Sequence, residues 1–519
     1  MKRYIALTAL FALSASLFSS CEDLTEEPVA LLAPEGFYKS PADVLTGLNG
    51  AYSAIGSEEF WGRKLTLSLL LRGDMADIGD LTTTTPRIQV NGFQMDPSNG
   101  MVAAFWPRAY EGLATINSAI EGAQKLNEEE DSINPLIAEG RFLRAFLHFH
   151  LVQLFGDIPY MGSSLIDPNL AYTLDETPVA EVYAGIIADL EFAKQWLPND
   201  QGVRSRPSKA TAAGLLASVH LTRENWQGAY DEARYVIDNR EGFGIGLAAE
   251  FQNLFDASVI DNPENAKEIL FTVDFRGKDE SNISGYGNYT RDYLASVTGP
   301  RGDERFAVGE GWSIAVPTMK VYESWDPKDY RKAVSFDTVA MMGDTLTRYV
   351  YWDRASRGVA RPHIAKYYRA FGQAGLNGRD SDINAHAQRY AEILLIAAEA
   401  LNELSGPTDE AMSYVNEVRS RARRELDADP ANDRSFPVDV PTGLSKEDFR
   451  WLVLEERRLE LAFEFKRWYD IVRRDLGNRV FSPEGLEYQP NFNAARDYLF
   501  PKPQSDLNLN PNLDQNTGY

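Results

Sequence analysis

Ala138-Glu139-Gly140-Arg141-Phe142-Leu143-Arg144-Ala145 opens a run that continues to Leu154-Phe155-Gly156-Asp157-Ile158-Pro159. Phe142, Phe146 and Phe149 fall at i, i+4 and i+7, the spacing that lines one helix face toward a core. Gly156 and Pro159 then stop the helix, which the pattern places over Ala138 to Phe155. The same period recurs on both sides of it. Pro41 to Ile55 carries Ser40 as a candidate N-cap and Pro41 at the first helical position. Ala103 to Leu126, Val179 to Leu197, Ser208 to Thr222 and Trp226 to Asp238 follow, then Ala385 to Leu404, Asp409 to Leu426 and Lys446 to Arg474. The predicted fold class is mostly α.

Several helices are joined by short turns and pair up. Within Ala210 to Ile237, Ala212, Ala213, Gly214 and Ala217 are small enough for close helix approach, and Trp226, Tyr230 and Ala233 face back. This unit resembles a tetratricopeptide repeat, and Ala391 to Val418 repeats the logic with Ala397, Ala398, Ala400 and Tyr414. Residues 240–380 differ, being rich in Gly, Tyr, Asn and Asp. Ile269 to Phe275 and Arg348 to Trp352 alternate as strands do, with His363 to Tyr368 as a weaker third. The reading is one globular unit over 41–519. Its helical scaffold occupies about 41–240 and 385–475, its loop-rich binding region about 241–384, and its extended tail 481–519.

Composition excludes several functions. The 519 residues carry 52 Lys plus Arg against 76 Asp plus Glu, a net charge of −24. Nucleic-acid backbones need a positive field, so nucleic acid is not an expected partner. One Cys rules out a disulfide framework or a multi-cysteine metal site. Five His without an HExxH spacing exclude a zincin-type protease. His148 and His150, two apart on a helix, face different ways and do not suit one metal.

The N-terminus predicts an address. Lys2 and Arg3 precede an apolar stretch from Ile5 to Leu17, then Ser19, Ser20 and Cys21. Small residues ending in a cysteine resemble a bacterial lipobox, which implies cleavage of residues 1–20 and lipidation of Cys21. Residues 21–40 then form a tether, acidic at Glu22, Asp23, Glu26 and Glu27. Acyl chains supply about 0.8 kcal/mol per buried CH₂, enough in combination for stable anchoring.

Four stretches carry a wider resemblance: Cys21-Glu22-Asp23-Leu24; the run from Ala138 to Pro159; Glu455-Glu456-Arg457-Arg458-Leu459-Glu460-Leu461-Ala462-Phe463-Glu464 with Lys466-Arg467-Trp468-Tyr469-Asp470-Ile471; and Leu499-Phe500-Pro501-Lys502-Pro503 with the tail to Tyr519. Together they resemble the SusD/RagB family of outer-membrane lipoproteins, glycan-binding partners of SusC-like TonB-dependent transporters. The resemblance implies a tetratricopeptide-like scaffold, oligosaccharide as ligand, such a transporter as partner, a cell-surface outer-membrane location and no catalysis. From the residues alone, Glu455 to Arg467 reads as a scaffold helix laced by i,i+3 and i,i+4 ion pairs.

The candidate binding residues are Trp312, Tyr286, Tyr289, Asp77, Asp80 and Arg87. Tyr286, Tyr289, Tyr293 and Trp312 stand in Gly/Asn-rich loop sequence, where rings can stack on sugar C–H faces. Gly311-Trp312-Ser313 matches a family pattern whose Trp helps to form an aromatic arc, and Gly285-Tyr286-Gly287 resembles the segment carrying the arc's Tyr. The resemblance also maps Thr82 to Asn91 to the glycan face, without the expected Trp; Arg87, Gln89 and Asn91 would supply hydrogen bonds instead. Asp74, Asp77 and Asp80 recur every three residues. Carboxylates so spaced suit a glycosidase pair, a Ca²⁺ site, or a structural and sugar-contacting role. No cofactor, metal ligand or catalytic residue is predicted. The rival readings are a peptide-binding lipoprotein of a similar uptake system and a secreted glycan hydrolase.

Overall fold

The computed structural model describes residues 34–165, 167–277, 291–348, 359–423 and 435–519. Cys21, Tyr286, Tyr289 and most of the expected strand from Arg348 to Trp352 lie outside the described residues. The chain is mostly helical, as expected. Its main helices are α1 (Pro41–Ile55), α2 (Lys64–Arg72), α3 (Thr85–Asn91), α4 (Val102–Gln124), α5 (Glu130–Phe155) and α6 (Val179–Trp196). They continue with α7 (Lys209–Thr222), α8 (Trp226–Asp238), α9 (Tyr390–Ser405), α10 (Asp409–Ala422), α11 (Lys446–Glu460) and α12 (Arg467–Arg473). Among the described residues no helix is long and apolar enough to cross a membrane.

Helices pack in succession: α1 on α4, α4 on α5, α5 on α6, α6 on α7 and α7 on α8. Glycine permits one of these approaches, since a Cβ at Gly140 of α5 would stand 2.8 Å from the Ile120 side chain of α4. Arg144 joins α5 to α6 through two 2.7 Å bonds to the Asp189 carboxylate. The scaffold resumes after the insertion, where α8 packs on α9, and α9 on α10 and α11. The two tetratricopeptide-like pairs share one apolar cluster containing Ala213, Ala217, Tyr230, Ala233, Ala397 and Tyr414.

The strands form four two-stranded antiparallel sheets among the described residues. β1 (Ala76–Ile78) pairs with β3 (Ala315–Pro317), and β2 (Ile269–Val273) with β8 (Ala385–Arg389). β4 (Phe336–Asp337) pairs with β7 (His363–Ile364), and β5 (Val339–Met342) with β6 (Thr345–Arg348). The β2–β8 pair ties the two ends of the loop-rich insertion together immediately before α9.

Several boundaries differ from expectation. Residues 385–389 are strand β8, because the insertion's return leg pairs with β2 before the helical stripe begins at Tyr390. Lys446 to Arg474 breaks between Glu460 and Arg467, where Phe463 and Phe465 both take φ of 64°. Helix α5 starts earlier, at Glu130. Ser40 makes no cap bond to the backbone of α1; its hydroxyl donates to the Asp43 carboxylate at 2.8 Å instead.

The long charged motif also pairs differently. Among the described residues of the motif from Glu455 to Arg467, only Arg458–Glu455 follows the expected i,i+3 spacing. The other partners lie across the fold. Glu456 reaches Arg331 and Arg419, while Glu460 reaches Arg331, Arg389 and Arg421. Glu464 reaches Lys366 and Arg389, and Arg467 binds Asp74. These groups are buried, so the motif is an internal ionic knot joining the insertion to the scaffold rather than a solvated helix face.

Candidate functional site

Trp312 begins with its glycine. A Cβ at Gly311 would stand 2.3 Å from the backbone of Gly299, so only glycine lets these two segments meet. The segment then hydrogen-bonds along its neighbour: Trp312 N–H to the Ser296 carbonyl at 2.7 Å, Ser313 to Gly299 at 2.8 Å and Ile314 to Val297 at 2.9 Å. This fixed backbone holds the Trp312 ring half-buried at the edge of the main core. Its centroid lies 5.9 Å from that of Tyr293, with the planes at 44°.

Tyr293 is the buried backing of this platform, only 5% exposed. The Arg63 guanidinium sits 4.5 Å from its ring centroid, and Arg291 at 6.0 Å. Burial raises the Tyr293 phenol's pKa, with the Glu58 carboxylate adding to it. Arg63 is itself paired with Glu58. Arg87, on α3, donates to the Thr83 hydroxyl at 3.0 Å. Burial, reinforced by the nearby Arg63 charge, pushes its pKa down to about 10. Arg301 bridges to Asp80 at 3.3 Å and to Glu310 at 3.2 Å. The result is an aromatic shelf flanked by guanidinium and carboxylate groups. Leu81, 79% exposed, directly follows Asp80 on the segment between β1 and α3, and Ile88, next to Arg87 on α3, is also exposed. A polar loop carrying a lone leucine was the one signal for Leu81; nothing in the sequence marked Arg63.

The three aspartates do not converge. Asp74 is fully buried and takes two 2.7 Å bonds from Arg467. Asp77 pairs with Arg361 at 2.8 Å. Asp80, 3% exposed, accepts from the Thr82 amide at 2.9 Å and hydroxyl at 2.7 Å as well as pairing with Arg301. Each carboxylate thus answers a different arginine, and the even spacing makes neither an acid–base pair nor a cation cage. Asp80 serves the site as the turn beside Trp312, with its own N–H bonded to the Ser313 carbonyl at 2.8 Å. Gln89 and Asn91 are likewise committed inward, to Asp96 at 2.9 Å and to the Leu71 carbonyl at 3.2 Å. Among the described residues, no group of three or more Asp, Glu, His or Cys side chains is placed to hold a metal ion. His148 bonds the Arg144 carbonyl and His150 the Tyr469 hydroxyl; burial holds both near pKa 3, hence neutral.

Beside Asp77 lies a buried carboxyl that sequence reasoning missed. Burial, with the Asp77 charge next in weight, pushes Glu487 up to about 8. One of its oxygens has no hydrogen-bond partner among the described residues. An acid whose pKa is raised on folding stabilises the folded state fully below its unfolded value of 4.5. That contribution is lost as pH rises through about 8. Glu487→Gln is therefore expected to flatten the fall in melting temperature across that window. A profile unchanged from wild type would show that Glu487 ionises normally in the folded protein.

The fold is a helical-repeat scaffold with the half-buried Trp312 ring at the edge of its main core. Two family models match, described as the SusD family over residues 312–519 and as starch-binding, associating with the outer membrane, over residues 71–221. A SusD-like protein of Formosa agariphila is 52% identical over 96% of this chain and 97% of its own. A solved SusD homologue from Bacteroides thetaiotaomicron superimposes with a TM-score of 0.79 at 23% identity, covering 94% of this chain and 98% of its own. Surface glycan-binding protein A of the same organism, solved with laminarihexaose, gives 0.74 at 19% identity over 92% and 99%. The chain belongs to the SusD family of outer-membrane-associated glycan-binding proteins, which bind rather than catalyse.

Proposed function

We propose that this protein is a cell-surface lipoprotein, anchored through Cys21, that captures oligosaccharide at the shelf centred on Trp312. It then delivers the glycan to a SusC-like TonB-dependent transporter. The observation that carries the reading is the half-buried Trp312 ring, set against Tyr293 and beside the Arg301–Glu310 pair, whose arginine reaches the Trp312 carbonyl at 3.5 Å. A ring so held stacks on a sugar's C–H face, while fixed guanidinium and carboxylate groups meet its hydroxyls. Arg87 and Trp312 are the sequence-predicted residues best placed to touch ligand. Asp80 positions the shelf, and Asp77 belongs to the Arg361–Glu487 cluster. Laminarihexaose in a relative and starch binding in a matching family model make laminarin and starch the first probes.

Affinity electrophoresis against laminarin, starch and other polysaccharides tests the reading. Retardation on at least one, without release of reducing ends, is expected. Failure on all of them together with tight binding of peptides would overturn it in favour of a peptide carrier.

The anchor has its own test. Cys21→Ala should move the protein from the membrane to the soluble fraction, since several acyl chains are needed for stable anchoring. Persistence in outer membrane from a strain lacking the transporter would refute lipidation as the anchor.

A further inference from the structure

A second pocket lies at the C-terminal end of α1, just before the 56–63 turn. It has a volume of about 340 Å³ and is walled by the end of α1, by Ser205 and Arg206, and by β2 with Asp274 after it. We infer that this pocket is a second sugar-binding site, taking one neutral hexose unit of the same glycan chain; the inference rests on the glycan reading above. Its volume falls within the ~300–1,000 Å³ typical of small-molecule pockets.

The lining is built for hydroxyls. Glu139, only 3% exposed, accepts from the Tyr52 hydroxyl at 2.7 Å and from Arg206 at 2.8 Å. The other Arg206 terminal nitrogen donates to the Asn49 carbonyl oxygen at 2.8 Å. Two interactions thus fix the guanidinium in one plane, and it retains further N–H groups of its five. Because the Asn49 oxygen is engaged by Arg206, its amide N–H₂ is the group left to donate. Asp274, which accepts from the Ser205 hydroxyl, supplies an acceptor; the Ser205 oxygen can still accept, and the Ser53 hydroxyl can both donate and accept. The half-buried Tyr52 ring adds an aromatic wall, with the Arg206 guanidinium 5.6 Å from its centroid.

Charge selects among occupants. The Arg206 charge is neutralised by Glu139, and Asp274 stands in the same pocket, so an anion is disfavoured. A single free carboxylate is too few oxygens for a hard cation. Adjacent hydroxyls of a neutral sugar, each both donor and acceptor, match this mixed lining. The pocket is also tied to the shelf by backbone. The Gly56 carbonyl, just past α1, accepts from Arg291 N–H at 3.0 Å, and the Gly62 carbonyl accepts from Tyr293 N–H at 2.9 Å.

Two sites on one protein, where a single chain can reach both, raise the effective concentration of a long ligand at the second once the first is filled. The test titrates the full-length protein in detergent with laminarihexaose and maltoheptaose, and with laminarin and starch. Wild type is expected to bind the matching polysaccharide about tenfold or more tighter, per chain, than its oligosaccharide. Asp274→Ala, and Ser53→Phe which fills the pocket, should each remove that advantage while changing oligosaccharide affinity less than about twofold. Trp312→Ala should leave weak oligosaccharide binding that adding Ser53→Phe abolishes. If both pocket variants melt as wild type and bind polysaccharide as wild type, the second site does not exist and the glycan reading stands. If Trp312→Ala alone abolishes all binding, the same conclusion follows. If wild type binds none of the four probes, this inference falls, and the glycan reading then rests on its own wider screen.

Discussion

Replacing Glu460 with alanine is expected to lower the unfolding free energy by about 3–5 kcal/mol, the cost of stripping one partner from a buried ionic group. Glu460 is fully buried. Its carboxylate meets Arg331 at 3.2 Å, Arg389 at 3.1 Å and also Arg421. Burial alone would raise its pKa; the Arg421, Arg389 and Arg331 charges overcome this and hold it at about 2. Alanine at 460 would leave three guanidiniums sharing Asp329, Glu456, Glu268 and Glu464, away from water. Because the folded pKa is depressed, the stabilisation is present above about pH 4.5 and is lost as pH falls through about 2. Glu455→Ala is the control. It removes a carboxylate from the same sequence motif, but one whose side chain is 52% exposed and bonded only one turn away, to Arg458. Because its partner Arg458 is itself buried, this change is expected to cost about 1–3 kcal/mol, less than the loss at 460. Urea unfolding of both variants decides the matter. Equal losses at 455 and 460 would mean that the knot adds nothing beyond a single half-exposed pair.

That contrast shows where sequence was sufficient. The apolar stripes of α1, α4 and α8 were legible because each helix buries one face, and burial writes a 3.6-residue period, whereas α5 is buried nearly all round after Ile137 and was legible from its phenylalanine spacing and its stop signals. The charges of α11 were legible as paired but not as to partner. A spacing of three or four residues always allows an intrahelical bond, and nothing local records that Arg331 or Arg389 will arrive from the insertion. The break after Glu460 was hidden for a related reason. Phe463 and Phe465 carry no turn signature, and their left-handed backbone is imposed by tertiary packing that buries both rings. The aspartates misled in the opposite direction. Their period of three suggests one cluster, yet β1 lies between Asp74 and Asp80 and sends each carboxylate to a different arginine. Trp312 stood out in the sequence by its loop setting between Gly311 and Ser313, and the structure gives Gly311 a physical reason to be glycine. Tyr293 stood in the same aromatic set, but only the structure distinguishes the buried backing ring from the ring presented at the surface.

Trp312→Ala is expected to weaken glycan binding by at least tenfold while costing little stability. The ring is half-buried at the core's edge, so its truncation removes only part of the apolar contact that a central residue makes. Each Å² of apolar surface covered by a stacked sugar is worth about 25 cal/mol, and an anchor at the centre of a contact commonly carries more than ~1–2 kcal/mol of binding. Each 1.4 kcal/mol is about a factor of ten in affinity. Trp468 supplies the comparison. It is fully buried between Phe93, Phe500 and the Arg72 guanidinium, and its truncation should cost roughly 3–5 kcal/mol of stability. When folded, a Trp468→Ala protein should still bind glycan, since its ring contacts are Phe93, Tyr498 and Phe500 and include neither Trp312 nor Tyr293. Tyr293→Ala separates the two roles. Removing the buried ring beneath Trp312 should lower stability and also loosen the platform, so that binding falls without loss of any direct sugar contact. Melting and binding measured on all three variants therefore give three patterns: binding alone at 312, stability alone at 468, both at 293. If Trp312→Ala melts far below wild type yet binds its glycan normally while folded, the indole is a core residue and the sugar is held elsewhere on the insertion.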